Sequence, residues 1–233
     1  MKDLHSHFLY GVDDGSKSLE ETKEMLKNAY ECGVTDIVFT PHYIDESKYV
    51  SEVSENEKIF NTIKEEAEHL NINIYLGNEV YISNNILKLY KEKKLITINN
   101  SRYMLIEIPM HSKINEVKSI FFELISNGIV PILAHPERYD AFKEDYSIVD
   151  TLREDGFLFQ SNYSSILGYY GKDSIKLLKY MLKRHYIDFL GTDIHRIEKT
   201  YVIDNFKKIE KHIIKVTGSE YYNKIQLNNN KLV

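Results

Sequence analysis

Nine side chains of the types that bind hard and borderline cations stand at or just beyond the ends of short apolar runs in this chain. His5 and His7 follow Met1 to Leu4, His42 follows Ile37 to Thr40, Glu79 follows Ile72 to Leu76, and Glu107 follows Tyr103 to Ile106. His135 follows Ile129 to Ala134, Asp193 and His195 follow Ile187 to Leu190, and Asp14 lies in the loop after His7. Imidazole nitrogens and carboxylate oxygens brought together from scattered positions are the donor set of a metal cluster. His5-Ser6-His7 puts two imidazoles on the same side of an extended segment, so both can address one ion, and Asp193-Ile194-His195 has the same spacing. Glu79 and Glu107 each close an apolar run, where an unpaired carboxylate is costly to bury and partnership with metal removes the cost. In Gly11-Val12-Asp13-Asp14-Gly15 one carboxylate suits a metal and the other suits an Asx turn.

Arg138 stands three positions after His135. A guanidinium beside a cationic cluster is expensive unless an anion comes between them, so its placement predicts a phosphate-like substrate; the alternative is a structural Arg-carboxylate pair. Tyr10, Tyr43 and Tyr139 are candidates to line a pocket for a phenyl phosphate. Cysteine chemistry is excluded: Cys32 stands alone and is followed by Gly-Val-Thr-Asp-Ile-Val with no nearby arginine, whereas a thiolate nucleophile needs a phosphate-cradling loop and a close cation. His69, His111, His185 and His212 fall outside the strand-end pattern and receive no role.

Helical periodicity alternates with the apolar runs, the pattern of parallel strands joined by crossover helices. Ser18-Leu19-Glu20-Glu21 reads as a capping box with Gly33 as the stop, and Ser54 to Glu57 as a second box. Val117, Ile120, Phe121, Leu124 and Ile125 recur at helical spacing before Gly128, and further helices are expected at about Asp173 to Arg184 and Val202 to Val216. The seven runs predict an α/β fold, a single-domain distorted (β/α)7 barrel over residues 1–233, with its chemistry at the carboxyl ends of the strands. With 30 basic and 35 acidic side chains, a net charge of -5 and no clustered basic stretch, nucleic acid is not an expected partner. No run approaches the length of a membrane span, so a cytoplasmic protein without membrane insertion is expected.

His-Ser-His, Gly-Val-Asp-Asp-Gly-Ser, Thr-Pro-His, Gly-Asn-Glu-Val-Tyr, Leu-Ile-Glu, Ala-His-Pro-Glu-Arg-Tyr and Thr-Asp-Ile-His occur in this order from residue 5 to 195. Taken together they resemble the polymerase and histidinol phosphatase (PHP) superfamily, specifically its bacterial manganese-dependent protein tyrosine phosphatases of capsule and exopolysaccharide synthesis. Ser101-Arg102-Tyr103 and Gln160-Ser161-Asn162 extend the resemblance over nearly the whole chain. It implies three metal ions, Mn2+ or another divalent cation: a first held by His5, His7, Glu79 and Asp193, a second by Glu79, Glu107 and His135, and a third by Asp14, His42 and His195. It implies Arg138 as the catalytic, phosphate-binding arginine. The family carries a second arginine after its last histidine; this sequence departs from that pattern, so either Arg196 or Lys199 substitutes or the contact is absent. The implied substrate is a phosphotyrosine protein, such as the tail of a bacterial tyrosine kinase, hydrolysed with metal assistance and without a covalent phosphoenzyme. The alternative within the superfamily is a small-molecule phosphomonoesterase such as a histidinol-phosphate phosphatase. A non-catalytic metal-stabilised regulator is the rival from another class.

Overall fold

A computed structural model describes residues 1–110, 114–199 and 201–232; His111 and the Lys199 side chain, both named above, lie outside what it describes. The strands are β1 (Lys2–Ser6), β2 (Asp36–Phe39), β3 (His42–Tyr43), β4 (Asn73–Leu76), β5 (Glu79–Tyr81), β6 (Tyr103–Glu107), β7 (Val130–Ala134), β8 (Leu158–Asn162) and β9 (Phe189–Gly191). All pairings are parallel, in the orders β1-β2-β4 and β3-β5-β6-β7-β8-β9. β2 leads directly into β3 through Thr40-Pro41, and β4 into β5 through Gly77-Asn78, so these strands fill seven positions. The kinks stay tied to each other: Gly77 N donates to Phe39 O at 2.9 Å and Glu79 N to Pro41 O at 3.1 Å.

The two sheets also meet at a seam between β1 and the end of β9. Ser6 bridges Ile194, Asp193 N donates to His5 O at 2.7 Å, and His7 N donates to Ile194 O at 2.9 Å. The buried Asp3 carboxylate accepts from Thr192 N at 2.8 Å and from Thr192 Oγ1 at 2.5 Å. The result is the distorted (β/α)7 arrangement that the apolar runs predict. Inside it, Leu4, Val38, Leu105, Ile132, Ala134 and Phe189 form one packed layer. Such a lumen is core rather than pore.

The helix Leu19–Glu31 begins as expected, with Ser18 accepting from Glu21 N at 3.2 Å. The second capping box is corrected. The helix runs Val53–His69, and the Glu52 carbonyl already accepts from Glu55 N and Asn56 N at 3.0 Å, which puts Ser54 inside the first turn. The helix expected over 202–216 is divided at Asn205 into Tyr201–Asp204 and Phe206–Thr217. A helix that the sequence reading does not anticipate, Ser219–Leu232, packs against the amino-terminal end of the barrel. Its Leu232 joins the lumen cluster, and Asn229 Nδ2 donates to the carbonyls of Lys2 and Leu190, both at 3.4 Å.

Candidate metal centre

The nine predicted residues converge at the carboxyl mouth, with Glu79 in the middle. Its Oε2 lies 3.2 Å from His5 Nε2, 3.4 Å from His7 Nε2 and 3.1 Å from His42 Nδ1, while its Oε1 lies 2.9 Å from His135 Nε2. Asp193 Oδ1 lies 3.6 Å from His5 Nε2 and 3.5 Å from His7 Nε2. Glu107 reaches His135 Nε2 at 3.7 Å and His42 Nδ1 at 3.9 Å. Asp14 Oδ1 is 3.6 Å from both His42 Nε2 and His195 Nε2. Three groups are compact enough to hold one ion each: His5, His7 and Asp193; His42, Glu79 and Glu107; and His7, Asp14, His42 and His195. His42 therefore faces two groups, one with each ring nitrogen, rather than the third alone.

The chemistry of these donors fits cations. Glu79 Oε2 and His42 Nδ1 are buried and close, yet neither has a hydrogen-bond partner, as expected of atoms aimed at a shared point rather than at each other. Burial pulls the His5 imidazole down, but Glu79 and then Asp193 outweigh it and raise the group to about 9. Burial likewise favours protonated Glu79, and His5 and His42 together hold it well below the usual carboxylate range. Around Glu79 and His5 the cluster thus favours positive charge in a buried place.

Local structure explains how the donors are held. His135 and Asp193 adopt left-handed backbone at φ 32° and 56°, a conformation that costs about 1–3 kcal/mol in such residues and persists where surroundings enforce it. Residues outside the predicted set do the orienting. The enclosed Asp13 carboxylate meets His7 Nδ1 at 2.7 Å and accepts from His42 N at 2.8 Å and Gly15 N at 2.8 Å. Burial would raise Asp13, but His7 brings it down to about 2. The pair Asp13-Asp14 is thereby divided: Asp13 braces a histidine, and Asp14, half exposed, faces the cluster. Gln160 Oε1 lies 3.0 Å from His5 Nδ1, and Asn162 Nδ2 donates to Asp193 Oδ2 at 2.7 Å.

Arg138 Nη1 donates to Asp193 Oδ2 at 2.8 Å, so the anion between this guanidinium and the histidines is a carboxylate of the protein itself. The same guanidinium stands 4.7 Å from the Tyr170 ring centre. Both border a cavity of about 370 Å³ that Asp14, Asp193, His195, Arg196 and Tyr169 also line. Arg196 is tethered loosely, its Nη1 4.0 Å from Glu21 Oε2. The tyrosines at this cavity are not those expected. Tyr43 and Tyr139 are buried in the core, Tyr139 accepting from Ile108 N, and Tyr10 turns to Thr62. Tyr169, half exposed, and Tyr170 take the place, their rings perpendicular at 5.1 Å. Cys32 stands apart beside Asp204, where burial and that carboxylate push the thiol up to about 11.

Fold and site together define a parallel β/α barrel with a cation-competent cluster of imidazoles and carboxylates at its carboxyl mouth. The chain belongs to the CpsB/CapC family of capsular polysaccharide synthesis, whose family model matches residues 1–233. It is 37% identical to CapC of Staphylococcus aureus over 199 residues, covering 84% of this chain and 78% of that protein. It is 34% identical over 208 residues to the tyrosine-protein phosphatase CpsB of Streptococcus pneumoniae, covering 85% and 84%. Among solved structures of YwqE from Bacillus subtilis and CpsB from Streptococcus pneumoniae, metal-dependent tyrosine phosphatases, one superposes with a TM-score of 0.85 at 25% identity. The match covers 100% of this chain and 94% of that one.

Proposed function

We propose that this chain is a metal-dependent protein tyrosine phosphatase that hydrolyses phosphotyrosine on a bacterial tyrosine kinase governing capsule or exopolysaccharide synthesis. The observation that carries the reading is the Glu79-centred cluster on a cavity bordered by Arg138 and two tyrosines. Family membership and the phosphatase relatives support it. His5, His7, Glu79 and Asp193 would hold a first cation, Glu79, Glu107 and His135 a second, and Asp14, His42 and His195 a third, with Mn2+ the ion proposed for all three. Bound there, such cations supply Lewis acidity toward water and toward phosphoryl oxygen.

The chain's own residues do the rest. Arg138 keeps donors beyond the one given to Asp193, and these bind phosphate oxygens, while Arg196 adds positive charge from the outer wall. Tyr169 and Tyr170 offer ring faces and edges to the phenyl group of the substrate. The continuous core from Phe8 to Ile225 supports one domain over residues 1–233. A cytoplasmic location is part of the proposal; among the described residues no helix is long and apolar enough to cross a membrane. The test is hydrolysis of a phosphotyrosyl peptide before and after chelation. Loss on chelation and recovery with Mn2+ are expected, and full turnover by protein shown to be metal-free by elemental analysis overturns the proposal.

A further inference from the structure

β8 ends on no cation ligand, although every other strand position leads to one. Its inward-facing residues instead connect two ligands that other strands supply. Asn162 Nδ2 donates to Asp193 Oδ2 at 2.7 Å, Gln160 Nε2 donates to Asn162 Oδ1 at 3.1 Å, and Gln160 Oε1 faces His5 Nδ1 at 3.0 Å. All four side chains are buried. The Asn162 backbone is fixed as well, its N–H donating at 2.9 Å to the Glu137 carboxylate, which also accepts from Ser165 Oγ at 2.6 Å.

The direction of this chain of hydrogen bonds has one consistent solution. A carboxylate only accepts, so Asn162 must turn its NH2 toward Asp193 and its oxygen toward Gln160. Gln160 must then give its NH2 to Asn162 and its oxygen to His5. An amide oxygen only accepts, so His5 must carry a proton on Nδ1. Nε2 is the nitrogen that faces Glu79, Asp193 and His7. Flipping either amide would set oxygen against oxygen or NH2 against NH2.

We propose that Gln160 and Asn162 are positioning residues that form an amide relay, through which the Asp193 carboxylate sets the tautomer of His5 and aims its Nε2 at the first cation. Unlike the Asp13 brace on His7, the relay brings no charge of its own. It joins a ligand on β1 to a ligand after β9 through a strand that binds nothing itself. The inference rests on the cation assigned to His5, His7, Glu79 and Asp193, and it is independent of the substrate.

The test compares wild type, Gln160→Leu, Asn162→Ala and the double variant, all checked for folding by circular dichroism. Mn2+ affinity is read from the electron paramagnetic resonance signal of the free ion. Outer partners of metal-bound histidines typically contribute about 10–100-fold in affinity, and each single variant is expected to fall in that range. The double variant is expected to lose little more than either single one, because breaking one link already disables the relay. A second readout is the ring N–H of His5 in 15N-labelled, Zn2+-loaded protein. Asn162→Ala, two links away, is expected to shift or abolish that signal while the His7 N–H held by Asp13 stays. Unchanged affinity in both single variants, independent losses that multiply in the double variant, or an unmoved His5 signal in Asn162→Ala would each overturn the relay. If Gln160→Leu does not fold, Asn162→Ala and Asn162→Ser decide by the same signal. Wild type that binds no Mn2+ would refute the cation assignment instead, a result distinct from failure of the relay.

Discussion

Gly191 passes so close to His5 that a β-carbon at Gly191 would stand 2.5 Å from the His5 Cβ and 2.8 Å from its backbone nitrogen. Gly15 stands in the same relation to His7, where an added carbon would meet the His7 Cβ at 2.6 Å and collide with its carbonyl oxygen. Neither obstacle is a flexible side-chain end. Gly191→Ala and Gly15→Ala are each expected to destabilise the fold by about 1–3 kcal/mol, the range for overpacking, and to weaken cation binding. Denaturant unfolding and Mn2+ titration measure the two effects, and alanine tolerated at both positions would contradict the close approach.

Glu79 contacts four histidines and Asp14 contacts two, so their removal should differ in reach. Glu79→Ala is expected to deplete two cations together and nearly eliminate turnover. Asp14→Ala should deplete one and leave the others largely in place. Elemental analysis of the two purified, folded variants decides, and equal depletion argues against a shared carboxylate.

Asp13 touches His7 rather than the shared centre, so Asp13→Asn should act through the orientation of that imidazole. The expected loss is about 10–100-fold in Mn2+ affinity with the number of ions at saturation unchanged. A lower stoichiometry at saturating Mn2+ would instead make Asp13 a ligand.

Arg138→Ala is expected to lower kcat/KM for a phosphotyrosyl peptide by about 100-fold or more, the scale for one lost donor to a developing oxyanion. Arg138→Lys should recover only part of this, because an ammonium lacks the planar fork. Steady-state kinetics at saturating Mn2+ check both, and wild-type efficiency in Arg138→Ala removes the residue from the site.

Cys32→Ser is expected to leave turnover unchanged. The thiol, pushed up to about 11 beside Asp204, lies outside the cavity. Inactivity in a folded Cys32→Ser protein would call for a cysteine mechanism.

Eight of the nine candidate ligands are legible in the sequence because each stands at or just beyond the end of an apolar run, where a charged or imidazole side chain contradicts its surroundings, whereas Asp14 sits in a glycine-bounded loop. Asp13, Gln160 and Asn162 carry no such contradiction. An Asp in a Gly-bounded loop looks like a turn residue, and two neutral amides at the end of a strand look like its polar exit. Asp3 was hidden inside the first apolar run, since its partner Thr192 is remote in sequence. Gly15 and Gly191 matter through what they leave out, which only the positions of His7 and His5 reveal. Ser219–Leu232 carries a weak helical signal because asparagines and lysines dominate its tail, whereas Tyr221, Tyr222, Ile225 and Leu232 make its buried side. Tyr43 and Tyr139 adjoin candidate site residues along the chain yet turn into the core, because sequence proximity does not fix the direction in which a ring points.

The seam between β1 and β9 is a long-range event, tying Asp3 to Thr192 across 189 positions. Contacts of such separation carry a large loop-closure entropy and slow the folding of a domain. His5 and His7 lie on one side of this seam and Asp193 on the other, so an intermediate in which it is open does not contain the assembled first ligand group. Closure of the seam is therefore a precondition for assembling that group. A cation bound by this group would shift the closing equilibrium by mass action, so the proposed ion would contribute to the stability of the closed ring as well as to turnover.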